Sequence, residues 1–247
     1  MTARRPAPIR APRIVAFAIA YNEDRKIGSV LDRFAGVEGV DVGVVDDGSS
    51  DRTPDVIREK GAILLQHDRQ RGAGAAIRSA YEWARKNGYD VCVILAGNDK
   101  DRPSEIRRLV DPIVNGEADL VQGSRYLPGG DFGNMPVYRR LATQFVHPTL
   151  FSIAARKRVT DSTNGYRALR LSVLDDPRVA LDQTWLDKYE LEPYLLFKTI
   201  RLGYDVREAP VTKIYPPAAV GYTKMKPITG WWSILRPIFL LGLGIRK

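Results

Sequence analysis

Short apolar runs alternate with helical periodicity along the first half of the chain. Each run is bounded by turn residues and has the length and composition of a buried strand. Five strands are expected, at 14–20, 40–45, 62–66, 91–95 and 119–122. Amphipathic helices are expected at 24–34, 51–60, 73–86 and 104–114. Ser50 and Ser104 are their expected caps. This alternation predicts an α/β fold with a central, mostly parallel sheet flanked by helices.

The second half of the chain is less regular. Residues 138–158 have a helical pattern, and His147-Pro148 predicts a kink there because proline lacks the backbone N–H. A helix at 191–202 and a strand at 204–211 are expected next. From Pro216 onward, prolines and glycines break the pattern.

Composition narrows the chemistry. A chain of 247 residues, 44% of them hydrophobic, suits one large α/β domain or two small ones. The single cysteine, Cys92, lies in an apolar run, and we expect inert packing in a reducing compartment. The two histidines do not supply the Cys/His cluster of a zinc site. Any bound metal is therefore expected to be a hard cation held by oxygen.

Positive charge gathers towards both ends of the chain, within a net charge of +9. Residues 1–22 carry four arginines and no acid, and residues 209–247 carry six basic residues and no acid. Such a surface suits nucleic acid, anionic lipid or a phosphorylated substrate. No nucleic-acid-binding signature accompanies it, so nucleic acid is not an expected partner. Residues 1–13 are expected to form a flexible basic arm.

The strongest site signal is the pair Asp46-Asp47, which directly follows an apolar run. Open α/β sheets bind ligands at the carboxyl ends of their strands. A nucleotide's base and ribose present N–H and O–H donors that two carboxylates can accept. The alternative is a turn in which Ser50 or Asp51 caps the next helix, but capping does not require two consecutive acids. We therefore expect a nucleotide site here.

The loop after the fourth expected strand is rich in polar side chains. Asn98, Asp99 and Asp101 supply oxygen atoms that suit Mg²⁺ or Mn²⁺, and a divalent ion suits a diphosphate. The alternative is an exposed charged turn before the next helix. The position at the end of a strand favours the site.

Two later residues have open interpretations. Arg125 follows the fifth strand, where its guanidinium suits either bidentate phosphate recognition or a local salt bridge. Asp161 lies in a polar turn and is a base, an acceptor of a substrate hydroxyl, or a helix cap.

In order, the motifs at 44–53, 95–103, 123–126, 161–167 and 203–210 resemble those of family 2 glycosyltransferases of the GT-A fold. The nearest resemblance is to the polyprenyl-phosphate branch, of the dolichyl-phosphate mannose synthase type, over residues 14–226. It implies a Rossmann-like domain that moves a sugar, with inversion, from a nucleoside-diphosphate sugar to a membrane lipid acceptor such as a polyprenyl phosphate. The alternatives are a hydroxyl acceptor on a sugar or glycolipid, and an inactive nucleotide-binding, membrane-peripheral module.

The resemblance also implies roles for individual residues. Nucleotide binding falls to Tyr21, Asn22, Glu23, Asp46, Asp47, Arg71, Gly72 and Asn98. Catalytic roles fall to Asp161, Arg125 and Glu192. The acceptor phosphate or the diphosphate would meet Arg125, Arg139, Arg140 and Lys224.

One departure from the family pattern concerns the metal. Family members usually carry Asp-x-Asp where this chain has Ala96 and Asn98. Either Asn98 with Asp99 or Asp101 rebuilds an oxygen site for Mg²⁺ or Mn²⁺, which we expect, or Lys100 itself neutralises the diphosphate.

The tail at 227–247 combines paired tryptophans, a short apolar run and only basic charge. This pattern is typical of segments at the water–lipid interface and is too short to span a bilayer. We expect an amphipathic tail that holds the protein at the cytoplasmic face of the membrane. The alternative is a helix packed on the core or in a homo-oligomer.

Overall fold

A computed structural model describes residues 6–215 and 227–246, and its described part contains a seven-stranded sheet. The strands are β1 (Ile14–Ala20), β2 (Asp41–Asp46), β3 (Ile63–Gln66), β4 (Val91–Ala96), β5 (Leu120–Ser124), β6 (Arg167–Arg170) and β7 (Val206–Pro210). Their order is β3-β2-β1-β4-β6-β5-β7, and only β6 is antiparallel to its neighbours. The expected α/β fold with a mostly parallel sheet is confirmed.

Helices cover both faces of this sheet. They are α1 (Asp24–Asp32), α2 (Thr53–Glu59), α3 (Ala73–Lys86), α4 (Ile106–Val114), α5 (Val137–Leu141), α6 (His147–Ala155), α7 (Leu191–Arg201) and α8 (Pro227–Gly242). Alternate side chains of β1 contribute to two hydrophobic cores, one on each face of the sheet, because successive residues of a strand point to opposite faces. Phe17 belongs to the core that includes side chains of α3, α6, α7 and α8, whereas Ala16 and Ala18 belong to the core that includes side chains of α1, α2 and α4.

The expected helix caps are wrong. Helix α2 begins at Thr53, whose N–H donates to Asp51 Oδ1 at 2.9 Å, while the Ser50 N–H donates to Asn22 Oδ1 at 2.9 Å. Ser104 lies inside a 3₁₀ turn, Pro103–Glu105, that precedes α4. Proline fixes the backbone angle that starts such a turn, so the turn forms one residue before the expected cap.

Strand β6 was not predicted from the sequence because two of its four residues are arginines. The Arg167 side chain is nevertheless buried, with Nη1 donating to Glu192 O at 2.8 Å and Nη2 to Asn164 O at 2.7 Å. Because β6 is antiparallel to both β4 and β5, those two strands still run in the same direction. The carboxyl end of β5 therefore lies at the same sheet edge as that of β4.

The expected kink before α6 takes the form of a π-helical turn at Ala142–Val146. Pro148 follows it in the first turn of α6, where a missing N–H is tolerated.

Helix α8 lies where a broken pattern was expected, and it continues through Pro237. It packs on α6 and α7 with Ile238 and Leu241 buried. Across the two described ranges, no helix has both the length and the apolar character needed to cross a bilayer.

Candidate active site

A pocket of about 610 Å³ opens at the carboxyl ends of β1, β2 and β4. It is lined by Ile19, Ala20, Tyr21, Glu23, Lys26, Asp47, Gln70, Ala73, Ile77, Ile94, Leu95, Ala96, Asn98, Lys100, Arg139, Thr163, Gly165, Tyr189, Glu192, Lys213 and Tyr215. This is the edge at which open α/β sheets bind ligands. Its size and its mixture of apolar and charged side chains suit a nucleotide-sized ligand.

The paired acids at the end of β2 have different roles. The carboxylate of Asp46 is fully buried and accepts hydrogen bonds from the Ser49 hydroxyl and N–H, while burial raises its pKa. The carboxylate of Asp47 accepts the N–H groups of Arg71 at 2.9 Å and Gly72 at 2.8 Å. Asp46 therefore closes the turn, and Asp47 holds the next loop against the pocket.

His67 completes this arrangement and was missed as a site residue. Its Nδ1 lies 2.7 Å from Asp47 Oδ1 and its Nε2 lies 2.9 Å from Ser79 Oγ. The only sequence signal was its place directly after β3, whose last residue, Gln66, pairs with Asp46. Proximity to Asp47 follows from that register, which the sequence did not reveal.

Two glycines let the start of α3 approach the segment 186–188 closely. A Cβ at Gly72 would lie 2.3 Å from Asp187 O, and one at Gly74 would lie 1.9 Å from Leu186 O. Gly72 also has φ +112°, which side chains disfavour. The Ala75 N–H donates to Asp187 O at 3.0 Å, which fixes the contact. The side chain of Arg71 is exposed and does not line the pocket.

The end of β1 is joined to the Asp46 turn through Asn22. Its N–H donates to Ser49 Oγ at 2.8 Å, and its φ of +52° is one that asparagine tolerates. Asn22 itself lies outside the pocket, whereas its neighbours Tyr21 and Glu23 line it. Glu23 Oε2 lies 3.1 Å from Lys26 Nζ.

The loop after β4 does not bring the expected metal ligands together. Asp99 pairs with Arg33 at 2.7 Å, outside the pocket. Asp101 is buried, accepts the Ala96 N–H at 2.9 Å and pairs with Lys213 at 2.6 Å. In the part of the chain that the structure describes, no three His, Cys, Asp or Glu side chains are grouped to hold a metal. These residues do not fit a carboxylate-bound divalent ion.

Asn98 and Lys100 are the members of this loop that line the pocket. The buried Asn98 Oδ1 has no hydrogen-bond partner among the described residues. Because a buried polar atom without a partner costs free energy, a ligand hydroxyl that donates to this oxygen would be stabilised.

Basic side chains surround Lys100. Burial and then the charges of Lys213, Arg139 and Lys26 lower the pKa of Lys100 to about 8. Lys100 Nζ lies 4.8 Å from the centre of the Tyr215 ring, and the Arg139 guanidinium lies 5.3 Å from it. The wall of the pocket around Tyr215 is therefore positive, which suits phosphate groups.

Arg125 and Asp161 form a buried ion pair behind the pocket wall. Arg125 Nε and Nη2 lie 2.7 and 2.8 Å from the two oxygens of Asp161, and both residues are at most 3% exposed. Burial disfavours the charge on Arg125, but Asp161 outweighs this and raises the Arg125 pKa. Arg125 also donates to Thr163 Oγ1 and Tyr215 Oη, which belong to the wall. The ion pair therefore holds Thr163 and Tyr215 in the pocket wall but does not itself line the pocket.

Glu192 is the expected catalytic residue that does line the pocket. Its Oε1 lies 3.4 Å from Arg167 Nη2, and a Cβ at Gly165 would lie 2.8 Å from the same oxygen. Glycine at 165 therefore leaves room for the Glu192 carboxylate at the pocket wall.

The expected site residues thus divide into two groups. The pocket is lined by Tyr21, Glu23, Asp47, Asn98, Arg139 and Glu192. Outside its lining lie Asn22, Asp46, Arg71, Gly72, Asp99, Asp101, Arg125, Arg140 and Asp161. Lys224 and the basic loop around it fall outside the described residues. Lys26, Lys213 and Tyr215 were missed because nothing in their local sequence marks a site.

The large apolar side chains that are exposed fall in two stretches of the chain, 137–153 and 232–245. We call them together the apolar face, and its members are Val137, Tyr138, Leu141, Phe145, Val146, Leu150, Ile153, Trp232, Phe239, Leu243 and Ile245. Helices α6 and α8 pack together, with Gly242 against Ala154. Residues 132–160 contain five basic residues and no acid. Exposed apolar clusters of this kind mark interaction sites.

Comparison with known proteins identifies relatives over most of the chain. Residues 16–176 match the family described as Glycosyl transferase family 2. A polyprenol monophosphomannose synthase of Mycolicibacterium smegmatis is 31% identical over 228 residues, covering 89% of this chain and 84% of that protein. An undecaprenyl-phosphate mannosyltransferase of Micrococcus luteus is 31% identical over 86% of this chain and 87% of its own. A dolichyl-phosphate hexose transferase of Haloferax volcanii is 31% identical over 88% of this chain and 89% of its own.

Solved structures share the fold at lower identity. Glucosyl-3-phosphoglycerate synthase from Mycobacterium tuberculosis, with Mn²⁺, UDP and glucosyl-3-phosphoglycerate, superposes with a TM-score of 0.68 at 19% identity. The match covers 96% of this chain and 81% of that one. The same enzyme with Mg²⁺ and UDP gives a TM-score of 0.67 at 22% identity. At this identity the likeness establishes the fold.

Proposed function

We propose, from the premise that this chain belongs to glycosyl transferase family 2, that it moves a sugar from a nucleoside-diphosphate sugar to the phosphate of a membrane polyprenyl lipid. The three curated relatives described above act, by their names, on polyprenyl or dolichyl lipids. One observation carries the proposal: Arg139 lines the pocket, while Tyr138 and Leu141 of the same short helix are exposed. Helix α5 thus joins a phosphate-binding cation to an apolar surface, as a lipid-phosphate acceptor requires.

The reaction needs no general base. An ionised phosphate monoester is already a nucleophile, and one of its oxygens attacks C1 of the donor sugar. The bond between C1 and the β-phosphate oxygen breaks, and its electron pair leaves with the nucleoside diphosphate. The products are a nucleoside diphosphate and a lipid phosphodiester that carries the sugar, with inversion at C1. No proton has to be removed from the acceptor, so the protein's main tasks are positioning and charge stabilisation.

Each region of the pocket has a proposed role in this step. Tyr21 and Asp47 border the nucleoside, and Glu192 accepts a hydrogen bond from a hydroxyl of the transferred sugar. Arg139 meets the acceptor phosphate. The buried Arg125–Asp161 pair acts as a positioning pair, since it holds Thr163 and Tyr215 in the wall.

The apolar face explains how a lipid acceptor reaches the pocket. Its exposed aromatic and aliphatic side chains suit the interface of a bilayer, and the basic residues beside it suit anionic headgroups. The exposed Arg140 of α5 would contact such a headgroup. The protein would then lie on a membrane surface, with α8 seated on its own core.

A transfer assay with paired acceptors tests the proposal. The protein is incubated with UDP-, GDP- and dTDP-sugars and with vesicles that contain either a polyprenyl phosphate or the matching polyprenol. The expected result is a glycosylated lipid from the phosphate alone, with one donor base preferred. Transfer to the polyprenol would favour a hydroxyl acceptor. Transfer to soluble 3-phosphoglycerate but not to the lipid would contradict the proposal.

A further inference from the structure

We infer that Lys100 and Lys213, in the positive wall beside Arg139, hold the donor's diphosphate without a divalent metal ion. This inference rests on the proposed function in one respect: the donor is a nucleoside-diphosphate sugar, which leaves a nucleoside diphosphate as product. It changes the expectation that Asn98, Asp99 and Asp101 rebuild a metal site.

The two carboxylates of the loop after β4 are committed to other partners. Asp99 receives hydrogen bonds from Arg33 Nε at 2.7 Å and Nη2 at 3.1 Å, and from Ser29 Oγ at 3.2 Å. Asp101 is 3% exposed and uses one oxygen for Lys213 and the other for the Ala96 N–H. Recruiting either acid to a metal would leave a cation or a buried N–H without its acceptor, which is costly.

The cations, in contrast, are fixed at the pocket wall. The Ile214 N–H donates to Lys100 O at 2.9 Å, so the segment bearing Lys213 runs directly along the loop after β4. Lys213 Nζ is held at 2.6 Å by Asp101. Lys100 and Arg139 both lie over the ring of Tyr215, whose own hydroxyl contacts Arg125. Two basic side chains are therefore held over one buried ring, and Lys213 lines the same pocket.

This arrangement suits the leaving group better than it suits a metal. When the bond from C1 to the β-phosphate oxygen breaks, the nucleoside diphosphate gains negative charge. A lysine supplies a compact positive charge with three N–H donors, which bind phosphate oxygens. A divalent cation at the same place would be repelled by each fixed positive charge, and the repulsion is strong where water is excluded.

Nucleotide binding measured without turnover tests the inference. Calorimetric titrations of UDP, GDP and dTDP, and of the matching monophosphates, are run with EDTA and again with Mn²⁺ or Mg²⁺. We expect the preferred diphosphate to bind wild-type protein equally well in EDTA and in metal. Lys100→Ala should weaken diphosphate binding by about 10- to 100-fold, the usual effect of losing a charged hydrogen bond. It should change monophosphate binding far less.

A matched control removes a lysine elsewhere. Lys86 is exposed at the last residue of α3, about 20 Å along the helix from the pocket residue Ala73 at 1.5 Å per residue, and Lys86→Ala should bind as wild type does. Loss of wild-type diphosphate binding in EDTA would overturn the metal-free inference and leave the proposed function intact. Wild-type affinity in Lys100→Ala would also overturn it. Failure of every nucleoside diphosphate to bind, with or without metal, would contradict the proposed function itself.

Discussion

Asp47 shows how a predicted ligand residue can also hold the site together. The sequence places two acids at a strand end, and both are there, but each has partners within the protein. Asp47 accepts the Arg71 and Gly72 N–H groups and lies 2.7 Å from His67 Nδ1. Asp47 therefore affects nucleotide binding partly indirectly, because it holds in place the loop before α3.

Replacing Asp47 should consequently affect stability as well as binding. Asp47→Ala leaves two backbone N–H groups without their acceptor, so we expect the free energy of unfolding to fall by about 1–3 kcal/mol. Nucleoside-diphosphate binding should weaken in parallel. Urea denaturation and calorimetry measure the two effects, and Asp68→Ala, at an exposed neighbour, is the control. Wild-type stability in Asp47→Ala would show that its hydrogen bonds to the loop do not matter.

Glu192 should act on the transfer step. Glu192→Gln keeps the shape of the side chain but removes the charge that strengthens a hydrogen bond from a sugar hydroxyl. We expect kcat to fall by about 10- to 100-fold with little change in nucleoside-diphosphate affinity. Steady-state kinetics beside a binding titration separate these effects. An unchanged kcat would exclude Glu192 from the reaction.

At the scale of elements, the junction of α6, the Asp161 loop and α8 depends on one histidine. His147 Nδ1 lies 2.7 Å from Ser162 Oγ, and Nε2 lies 3.3 Å from Ile234 O in α8. Burial lowers the pKa of His147 to about 4, although the Ile234 carbonyl and the Asp161 charge oppose the shift. The imidazole of His147 is therefore neutral in the folded protein at neutral pH.

This junction predicts a pH dependence of stability. The unfolded chain binds a proton at His147 near pH 6.5, whereas the folded chain does so only near pH 4. Stability should therefore be constant above this range and fall by up to about 3 kcal/mol as pH drops through it. His147→Gln should remove that part of the loss. Denaturant midpoints from pH 7 to pH 4 provide the measurement, and identical profiles for the two proteins would contradict it.

The sequence predicted elements with strong periodicity and missed those without it. The helix at 73–86 has the bounds expected of it, and β1 and β4 lie where apolar runs placed them. Strand β6 has no apolar alternation, so its insertion between β4 and β5 could not be predicted. The same limit applies to the site, because Lys213 and Tyr215 reach the pocket only through the pairing of their segment with the loop after β4.

For the whole molecule, the important feature is that the pocket and the apolar face share α5. From the sequence, we expected the tail to hold the protein at the membrane. In the structure, α8 buries Ile238 and Leu241 in the core while Trp232 and Phe239 stay exposed. Deleting the tail would therefore damage the fold, and substitutions of exposed residues give a cleaner test.

Vesicle binding tests the apolar face. The double variant Leu141→Ser/Phe145→Ser removes two exposed apolar side chains. It should co-sediment with anionic vesicles several-fold less than wild type. The reason is that each Å² of apolar surface that no longer enters the membrane removes about 25 cal/mol of binding free energy. Nucleotide binding should be unchanged. Substituting exposed polar residues on α3, Glu82→Ser/Lys86→Ser, is the control. Equal sedimentation of the apolar-face variant and wild type would contradict this role.

The central claim is that this pocket joins a sugar to a lipid phosphate. Phosphorus NMR of one reaction, containing the preferred donor and polyprenyl phosphate in detergent, follows both phosphates directly. We predict that the phosphomonoester signal of the lipid is replaced by a phosphodiester signal, in step with equimolar release of nucleoside diphosphate. Release of nucleoside diphosphate with an unchanged lipid phosphomonoester would contradict the account.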